Sequence, residues 1–445
     1  MKHKLLNGIL LLLCCFTVKT YSQTPDFSLV GFATENGGTT GGQGGTEVVV
    51  TTFADLKKYA ETKDTKYIIK IAGTITGSGS VAEKNYVGSI KVTSNKSIIG
   101  VDDSAFLDGV GFTVKDAKNI IIQNIKFSLI SVAKAIPANS EDIANIYSKL
   151  GDERRPQILV NGGDLISVSG ASTNIWIDHC EFYQEDPRVQ TNQDLYDGLV
   201  DVKDDSGFIT ISWCYFHDHH KCSLIGSSDT NLFADRKITF HHNYYKTIQE
   251  RVPLYRGAEA HFFNNYTYDV YSGIVNTRVN ACVKVERNYF EKSKNTVYSK
   301  NSTILGTAEI VNNKEVDCTS SEAYPTSCEA NIPYDYSTVL NLNADDVKNI
   351  VTTYSGVGKL SENLGMDEVR YVSDDKIAYP NPFHKTITVK HLGAFDYLVY
   401  NMAGVEIERG KSIDLVTFGA NYPDGFYIVK LISDDGVSFL KIIKQ

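Results

Sequence analysis

The sequence predicts an all-β protein: a right-handed parallel β-helix followed by a small C-terminal β-sandwich. First, short strands of β-branched and aromatic residues recur through the middle of the chain at intervals of about 20–35 residues, the signature of a solenoid. Second, helical patterning between these strands is scarce, which disfavours a βαβ fold. Third, the strands after about residue 375 alternate and are joined by short turns. The abundance of Gly (34) and Tyr (26) favours the same β-rich class.

Residues 1–22 are predicted to be a signal peptide. Lys2 and Lys4 supply the positive start, Ile9 to Phe16 the apolar stretch, and Thr20-Tyr21-Ser22 a small-x-small cleavage site. The apolar stretch is too short to span a bilayer, and no later segment resembles a membrane span. A lipid anchor on one of the two cysteines in this stretch is less favoured, because the leucine before them is a poor residue at that place. The mature protein is therefore expected to be exported.

The charge of the chain limits its partners. The formal net charge is −9, and removing residues 1–22 takes away three lysines and no acids, which gives −9 − 3 = −12. An acidic protein binds nucleic acids and other polyanions poorly, so no nucleic-acid partner is expected. If the substrate is itself anionic, the site needs local positive charge or a metal ion.

Six segments of the middle region resemble one another. They are IIIQNIKF (120–127), IWIDHCEF (175–182), ITISWCYF (209–216), ITFHHNYY (238–245), AHFFNNYT (260–267) and VKVERNYF (283–290). Aligning their ends stacks Ile125, Cys180, Cys214, Asn243, Asn264 or Asn265, and Asn288. In such a ladder an asparagine can bond its neighbours through both ends of its amide. The two cysteines are then expected to be packed thiols rather than a disulfide. A β-sandwich with coincidentally similar strand ends is the alternative.

Two further features complete the expected β-helix domain, residues 23–365. Cys318 and Cys328 flank a short loop and are expected to form a disulfide outside the cytoplasm. The segment NADDVKNIVTTYSG (343–356) is predicted to be a helix, with Asn343 as N-cap, acids in its first turn and Gly356 at its end. Its apolar face is expected to pack back on the solenoid.

Residues 375–445 are predicted to form the separate C-terminal domain. The motifs YPNPF (379–383), YNMAGVEI (400–407) and GFYIVKL (425–431) precede a final lysine-rich strand. Together they resemble the type IX secretion sorting domain of some Gram-negative bacteria. This resemblance implies that the type IX secretion machinery is a partner and that the protein is secreted or held at the cell surface. A carbohydrate-binding sandwich is the alternative, but no aromatic platform is evident.

The first cluster with chemical potential is acidic. It comprises Asp178 in WIDHC and Asp197 and Asp201 in YDGLVD. Calcium takes several hard oxygen ligands, and carboxylates from adjacent coils could converge on one ion. Asp197 and Asp201 are four residues apart, an even separation that keeps both on one face of a strand. Solvated surface acids are the alternative.

The second cluster is the histidine-rich stretch HDHHKCSLIGSSD (217–229), which contains Lys221. A zinc site could recruit residues from this region, namely His217, His219, Cys214 and Cys222. Their spacing matches no usual zinc ligand pattern, so histidines bonded within turns are favoured.

The third cluster is QERVPLYRG (249–257), with Arg251 and Arg256 on either side of Pro253. In an unbroken strand the odd separation of the two arginines would aim them at opposite faces. Proline is expected to break the strand, so the arginines can converge. Exposed arginines without a role are the alternative.

Taken together, these stretches resemble polysaccharide lyase family 1, the pectate lyases, over about residues 30–360. The match also includes GFATENGGTTGGQGG, YIIKIAGTITG and YSGVGKL, in the order of the family. The resemblance implies a monomeric, secreted, calcium-dependent enzyme. It would cleave α-1,4-polygalacturonate by β-elimination and release 4,5-unsaturated oligogalacturonides.

The resemblance also assigns roles to matching residues. It makes Asp178, Asp197 and Asp201 the calcium ligands, Lys221 and Arg256 the residues that bind substrate carboxylates, and Arg251 the catalytic residue. The chain departs from many members at two positions. Leu254 stands where a basic residue is common and His220 where an acid is common, which affects subsite preference and the pH optimum.

The implied chemistry explains why these residue types are needed. Arg251 would abstract the proton on carbon 5, after which the bond to oxygen 4 breaks. A free arginine has a pKa above about 12, but neighbouring cations favour its neutral form, so an alkaline optimum is expected. A glycoside hydrolase using Asp204 and Asp205 is the rival enzyme class, although adjacent strand residues face opposite ways. A non-catalytic glycan-binding solenoid is the third hypothesis.

Overall fold

The computed structural model describes residues 25–77, 88–135, 163–190, 192–257, 259–360, 377–401, 405–433 and 436–445. Within these ranges, three parallel sheets of ten, nine and eight strands wind into one β-helix. We call them sheets A, B and C. Along the chain each complete coil adds one strand to sheet A, then one to B, then one to C. The predicted right-handed parallel β-helix is confirmed.

Sheet A supplies more of the aliphatic core than either of the other two sheets. Its inward residues stack Ile69, Ile98, Ile122, Ile177 and Ile211 in successive registers, and all five are buried. Branched side chains suit this place because they pack well on a pleated, buried sheet face. Its ten strands are β1 Thr46–Val50, β2 Tyr67–Ile71, β5 Lys96–Gly100, β8 Lys118–Gln123, β11 Thr173–Asp178, β14 Gly207–Ser212, β17 Ile238–His241, β20 Glu259–Phe263, β23 Cys282–Glu286 and β26 Thr307–Val311.

Sheet B supplies the aromatic core. The inward rings of Phe127, Phe182, Phe216 and Tyr245 stack with centroids 5.0 Å apart at each step. Its nine strands are β3 Thr74–Thr76, β6 Phe106–Asp108, β9 Lys126–Ser128, β12 Glu181–Tyr183, β15 Tyr215–Lys221, β18 Tyr244–Glu250, β21 Tyr266–Tyr268, β24 Tyr289–Glu291 and β27 Lys314–Val316.

Sheet C has the shortest strands and carries the residues of interest on its outer face. Val200 and Val202 point into the core, so Asp201 between them points out. Its eight strands are β4 Ser89–Lys91, β7 Gly111–Lys115, β10 Ile166–Ser169, β13 Val200–Val202, β16 Leu224–Ile225, β19 Leu254–Arg256, β22 Val275–Arg278 and β25 Val297–Tyr298.

The corner between sheets A and B holds the predicted side-chain ladder. Asn243 Nδ2 donates to Asn265 Oδ1 (3.1 Å), Asn265 Nδ2 to Asn288 Oδ1 (3.1 Å), and Asn288 Nδ2 to Asn313 Oδ1 (2.8 Å). Asn265 rather than Asn264 therefore occupies the ladder. The expectation for the cysteines is also confirmed, because Cys180 and Cys214 are buried free thiols in the same corner.

The helices lie outside the coil. A 3-10 turn Phe32–Thr34 and the helices α1 Phe53–Glu61 and α2 Ile130–Ala135 precede the main site region. The predicted late helix is present as α3 Ala344–Tyr354, with the Asn343 side chain accepting a hydrogen bond from the N–H of Asp345. Its Val347 and Val351 pack on tyrosines of sheet B, as expected.

The expected disulfide between Cys318 and Cys328 is wrong. Cys328 is bonded to Cys282 at the start of β23, and Cys318 is a half-buried free thiol. The segment around Cys328 runs back beside β26, where Ser327 bridges to Ala308 and the N–H of Cys328 donates to the Ala308 carbonyl (3.4 Å). This return places Cys328 within disulfide distance of the coil before, although Cys318 is nearer in sequence.

The C-terminal domain is a five-stranded antiparallel sheet around a hydrophobic core of its own. Strand β29 is its centre and pairs with β28, β30 and β31, while β32 pairs with β31. The strands are β28 Ile377–Tyr379, β29 Ile387–Asn401, β30 Glu406–Phe418, β31 Gly425–Ser433 and β32 Gly436–Lys444. The small all-β domain expected after about residue 375 is therefore present.

Two predictions fall outside the described residues. The signal peptide, residues 1–22, and the boundaries at 365 and 375 lie in ranges that the structure does not describe, so they stay predictions. Across the described part of the chain, no helix is both long enough and apolar enough to cross a membrane.

Candidate active site

The outer face of sheet C brings acids and arginines together from successive coils. Asp201 neighbours Ser167 of β10 on one side. Two residues further along the strand direction, Lys203 follows β13, and Arg256 of β19 is in register with Arg278 of β22. Because side chains alternate along a strand, these groups share the face that points away from the core.

Three aspartates form an acidic cluster at one part of this face: Asp164, Asp197 and Asp201. Asp164 comes just before β10, and the backbone bonds from Leu165 and Ile166 to the next coil set it beside Gly198. The Asp164 Oδ1 accepts the Gly198 N–H (3.0 Å). A Cβ at Gly198 would lie 2.0 Å from Asp201 Oδ1, so only glycine allows the chain to approach Asp201 this closely.

Burial makes this cluster electrostatically costly. It raises the pKa of Asp201 to about 8, with Asp164 and Asp197 adding to the effect and Lys203 opposing it. Burial also raises the pKa of Asp164, again against the effect of Lys203. The Asp201 Oδ1 accepts the Leu224 N–H (2.9 Å), but its buried Oδ2 has no hydrogen-bond partner among the described residues. Such a group is satisfied best by a cation.

Lys203 is the cation inside the cluster. Its Nζ lies 2.7 Å from Asp164 Oδ2 and 3.4 Å from Asp201 Oδ2. Burial works to lower the pKa of Lys203, but Asp201 and Asp164 outweigh it and the pKa is raised. Sequence reasoning did not single out Lys203 or Asp164.

Asp197 lies in the loop before β13 and not on the strand, which corrects the expectation that it shares a strand face with Asp201. The loop is held by His219, whose Nε2 donates to the Asp197 carbonyl (2.5 Å). Lys221, at the end of β15, reaches the same loop, with its Nζ 2.8 Å from Asp194 Oδ1 and 3.5 Å from Asp197 Oδ1. Asp197 and Lys221 are therefore neighbours.

Asp178 lies in a different sheet from the part of the molecule that holds the other two predicted calcium ligands, Asp197 and Asp201. It ends β11 in sheet A, where it is fully buried. Its Oδ1 accepts from Ser212 Oγ (2.6 Å), and its Oδ2 faces Gln123 Nε2 (2.8 Å) and His179 Nδ1 (2.6 Å). Both oxygens thus have partners within sheet A. The sequence feature that could have identified Asp164 as a third member of the site is its position just before the strand ISVS, one coil ahead of Asp197 and Asp201.

Arg251 follows β18 at the corner between sheets B and C. Pro253 lies between β18 and β19, so the strand is interrupted there as predicted. The Arg251 Nε is buried and has no hydrogen-bond partner among the described residues, and Oε1 of Glu250 is 3.8 Å from it. Its carbonyl accepts the Ser223 N–H from the coil before (2.7 Å), which fixes the backbone.

Arg256 and Arg278 form a second cationic group beside Arg251. The Arg256 Nε donates to Asp229 Oδ1 (2.6 Å) and its Nη1 to the Gly226 carbonyl (2.9 Å). Arg278 is buried, and its pKa is lowered first by burial and then by the positive charges of Arg256 and Arg251. Sequence reasoning missed Arg278, although NTR in register with LYR one coil earlier is the signal that marks it.

The residues that a zinc site or a glycoside hydrolase would use have other hydrogen-bond partners or are buried as thiols. His217 bonds Asp218 and Glu181, and Cys214 and Cys222 are buried thiols. Asp204 and Asp205 sit in the turn after β13, where Asp204 Oδ2 accepts the Gly170 N–H (3.0 Å) and Asp205 accepts from Asn231. Both acids are held in the turn that leads from β13 to β14 of sheet A, which gives a hydrolytic pair no support.

The acidic cluster fits a hard cation in its chemistry. All three side chains are carboxylates, which calcium prefers, and Asp201 contributes a buried oxygen without a hydrogen-bond partner. In the described ranges, however, no three acidic, histidine or cysteine side chains stand close enough to hold an ion as they are. The Lys203 ammonium stands among the carboxylates instead.

Comparison with known families decides the identity of the chain. Residues 4–360 match the pectate lyase family, and residues 377–445 match a secretion system C-terminal sorting domain. The chain belongs to the pectate lyase family. It is an enzyme of the polysaccharide lyase class, and its sorting domain indicates an extracellular or cell-surface location. The resemblances expected from the sequence are confirmed.

Individual pectate lyases align over most of their length. The chain is 38% identical to a pectate trisaccharide-lyase of Bacillus licheniformis over 338 residues, 76% of this chain and 88% of the relative. It is 34% identical to pectate lyase A of Aspergillus niger over 318 residues, 70% of this chain and 83% of the relative. The fold matches pectate lyase Bsp165PelA from Bacillus sp. N165, solved with trigalacturonate, at TM-score 0.60 and 32% identity, covering 75% of this chain and 100% of that one.

The two departures from the family pattern lie beside the site of this pectate lyase. Leu254 is on the outer face of sheet C, in register between Leu224 and Asn276, and is nearly buried. His220 is also nearly buried, and its nitrogens face Gln249 Oε1 and the Gln190 carbonyl (2.6 Å). His220 therefore ties the loop that leads to Asp197 to the next coil.

Proposed function

We propose that this pectate lyase is calcium-dependent and cleaves α-1,4-polygalacturonate by β-elimination, releasing 4,5-unsaturated oligogalacturonides. One observation carries the proposal: the acidic cluster and the arginine group, Arg256 and Arg278, lie side by side on the outer face of sheet C. A chain with a net charge of −9 can hold a polyanion only where positive charge is concentrated, and this face has that concentration. The trigalacturonate bound to the Bacillus sp. N165 relative supports the same substrate class.

The calcium ligands in this proposal are Asp164, Asp197 and Asp201. Asp164 replaces the predicted ligand Asp178, because Asp164 adjoins the other two acids while both oxygens of Asp178 are engaged in sheet A. When bound, calcium would supply positive charge beside a uronate carboxylate and so stabilise negative charge developing there.

Cationic side chains bind the remaining charge of the substrate. Arg256 is oriented by Asp229 and the Gly226 carbonyl, and the planar guanidinium of an arginine can grip a carboxylate with two hydrogen bonds. Lys221 lies beside Asp197 of the acidic cluster, and Arg278 lies one coil beyond Arg256. We assign these residues to binding and orienting uronate carboxylates along the face.

Arg251 is the proposed base. It would remove the proton on carbon 5, leaving an enediolate-like carboxylate, after which the bond to oxygen 4 breaks and the leaving chain takes up a proton. Among the described residues, no carboxylate lies within hydrogen-bonding distance of the Arg251 Nε. An alkaline optimum follows from this assignment.

The test is an ultraviolet assay of unsaturated product on polygalacturonate and on methylated pectin, with and without a calcium chelator. The proposal predicts absorbance with polygalacturonate that the chelator abolishes and added calcium restores. Chain cleavage without absorbance would indicate hydrolysis, and pectate binding without cleavage would indicate a glycan-binding solenoid. Undiminished turnover in the chelator would refute the calcium dependence.

Export completes the proposed function. The sorting domain supports passage through type IX secretion machinery, with the predicted signal peptide directing the first step. We expect the mature protein to act as a monomer, because each coil buries its core within one chain.

A further inference from the structure

The acidic cluster already contains a tethered positive charge. Lys203 Nζ is 2.7 Å from Asp164 Oδ2, a hydrogen-bonding distance, and 3.4 Å from Asp201 Oδ2. Both carboxylates are 1% exposed, whereas the lysine side chain is 25% exposed. The lysine is thus more exposed than either carboxylate it contacts, and its flexible four-carbon stem gives the ammonium a route to solvent.

The ammonium and a calcium ion need the same oxygens. Asp164 Oδ1 accepts the Gly198 N–H and Asp201 Oδ1 accepts the Leu224 N–H, so the charge of each acid is presented to a cation through its Oδ2. Lys203 lies against both of those Oδ2 atoms. A divalent ion coordinated at about 2.3–2.6 Å by the same oxygens leaves no room for the ammonium between them.

We propose that Lys203 is an internal counter-ion that occupies the cation position of the acidic cluster and must be displaced when calcium binds. The inference rests on the proposed function, because it requires Asp164 and Asp201 to be calcium ligands. Calcium affinity then depends on how well calcium competes with the Lys203 ammonium for the same carboxylate oxygens. The lysine keeps the buried carboxylates neutralised when calcium is scarce, and it weakens calcium binding in return.

Three variants test the displacement. Lys203→Met removes the charge and keeps the length of the side chain, and we expect it to bind calcium about tenfold more tightly than the wild type in isothermal titration calorimetry. Lys203→Arg keeps the charge but grips carboxylates with a fork, so calcium should bind several-fold more weakly. Simple repulsion by a nearby charge would leave Lys203→Arg equal to the wild type, and that result would overturn displacement.

Lys284→Met is the matched control. Lys284 is also partly buried between two carboxylates, Glu286 at 3.6 Å and Glu309 at 3.4 Å, but it lies on sheet A. Its replacement should leave calcium affinity unchanged. In the chelator, Lys203→Met should have a lower Tm than the wild type, and calcium should abolish that difference; for Lys284→Met any loss of Tm should be the same in both conditions.

The outcomes separate this inference from the proposed function. If the wild type binds calcium and Lys203→Met binds it no more tightly, the lysine is not a competitor, although the calcium site stands. If neither protein binds calcium, the proposed function fails together with the inference. If Lys203→Met unfolds in the chelator, Lys203→Gln is titrated in its place with the same expectation of tighter binding.

Discussion

At the scale of single residues, the cations on and beside the outer face of sheet C differ in how fully they are neutralised. Lys221 and Arg256 donate to carboxylates at 2.8 and 2.6 Å. Arg251 meets Glu250 only at 3.8 Å, and its buried Nε has no hydrogen-bond partner among the described residues. A guanidinium that is not held in a close ion pair remains available to the substrate, as the proposed base must be.

The Arg251→Lys variant tests that role. We expect kcat on polygalacturonate to fall by at least about a hundredfold, with KM little changed, because a positioned base contributes about 10²–10⁴ in rate. The assay is the initial rate of unsaturated product at saturating calcium. Arg287→Lys is the control, since Arg287 donates to the Leu342 carbonyl in a different corner of the coil. If Arg251→Lys retained most of its turnover, another group would have to be the base.

At the scale of elements, the strands and the corner ladder were predictable because each repeat has the same short form. From β12 onward, an asparagine or cysteine directly precedes every described strand of sheet B and marks the corner, as Cys180, Cys214 and Asn243 do. What the repeats do not reveal is which sheet a strand joins when the connecting loops vary in length. A strand-like sequence therefore does not show that Asp178 belongs to sheet A, or that Asp164 adjoins Asp197 and Asp201.

The prediction of the disulfide partners was wrong for a related reason. Sequence proximity favoured Cys318 with Cys328, but the parallel coil brings residues more than twenty positions apart into register, and Cys282 is 46 residues from its partner. Distances across coils depend on register, which a single sequence does not reveal when loops differ.

The pairing predicts how cysteine variants behave. Cys282→Ser removes a cross-link that closes a long loop and should lower the free energy of unfolding by about 2–5 kcal/mol. Cys318→Ser removes a half-buried free thiol and should change it by less than about 1 kcal/mol. Denaturant unfolding under oxidising conditions measures both. Equal losses in the two variants, or a larger loss for Cys318→Ser, would contradict the pairing.

At the scale of the whole molecule, several histidines are buried beneath the segments that cover sheet A. Burial lowers the pKa of His241 to about 3 and holds the pKa of His242 well below its usual value. An unfolded chain takes up these protons below about pH 6.5, while the folded protein does not. The stability they allow is therefore complete above about pH 6.5 and is lost as the pH falls. For a group such as His241 the loss at pH 5 is about 2 kcal/mol.

His217 acts in the opposite sense. Burial works to lower its pKa, but Asp218 and Glu181 outweigh burial and raise it, so its contribution is present at low pH and lost as the pH rises. To separate the two effects, stability is measured from pH 8 to pH 5 in the wild type and in His241→Gln, both in chelator. The variant should lose less stability on acidification than the wild type. Parallel pH profiles would show that His241 is not a source of acid sensitivity.

The central claim is that the cation site is built on sheet C from Asp164, Asp197 and Asp201 and does not include Asp178. Calcium titration calorimetry of Asp164→Asn and Asp178→Asn tests it most directly. We predict that Asp164→Asn weakens calcium binding at least about tenfold, because a carboxylate ligand is lost. Asp178→Asn should lower the Tm through its buried hydrogen bonds and leave the calcium Kd unchanged. Weakened binding in Asp178→Asn with wild-type affinity in Asp164→Asn would contradict this assignment.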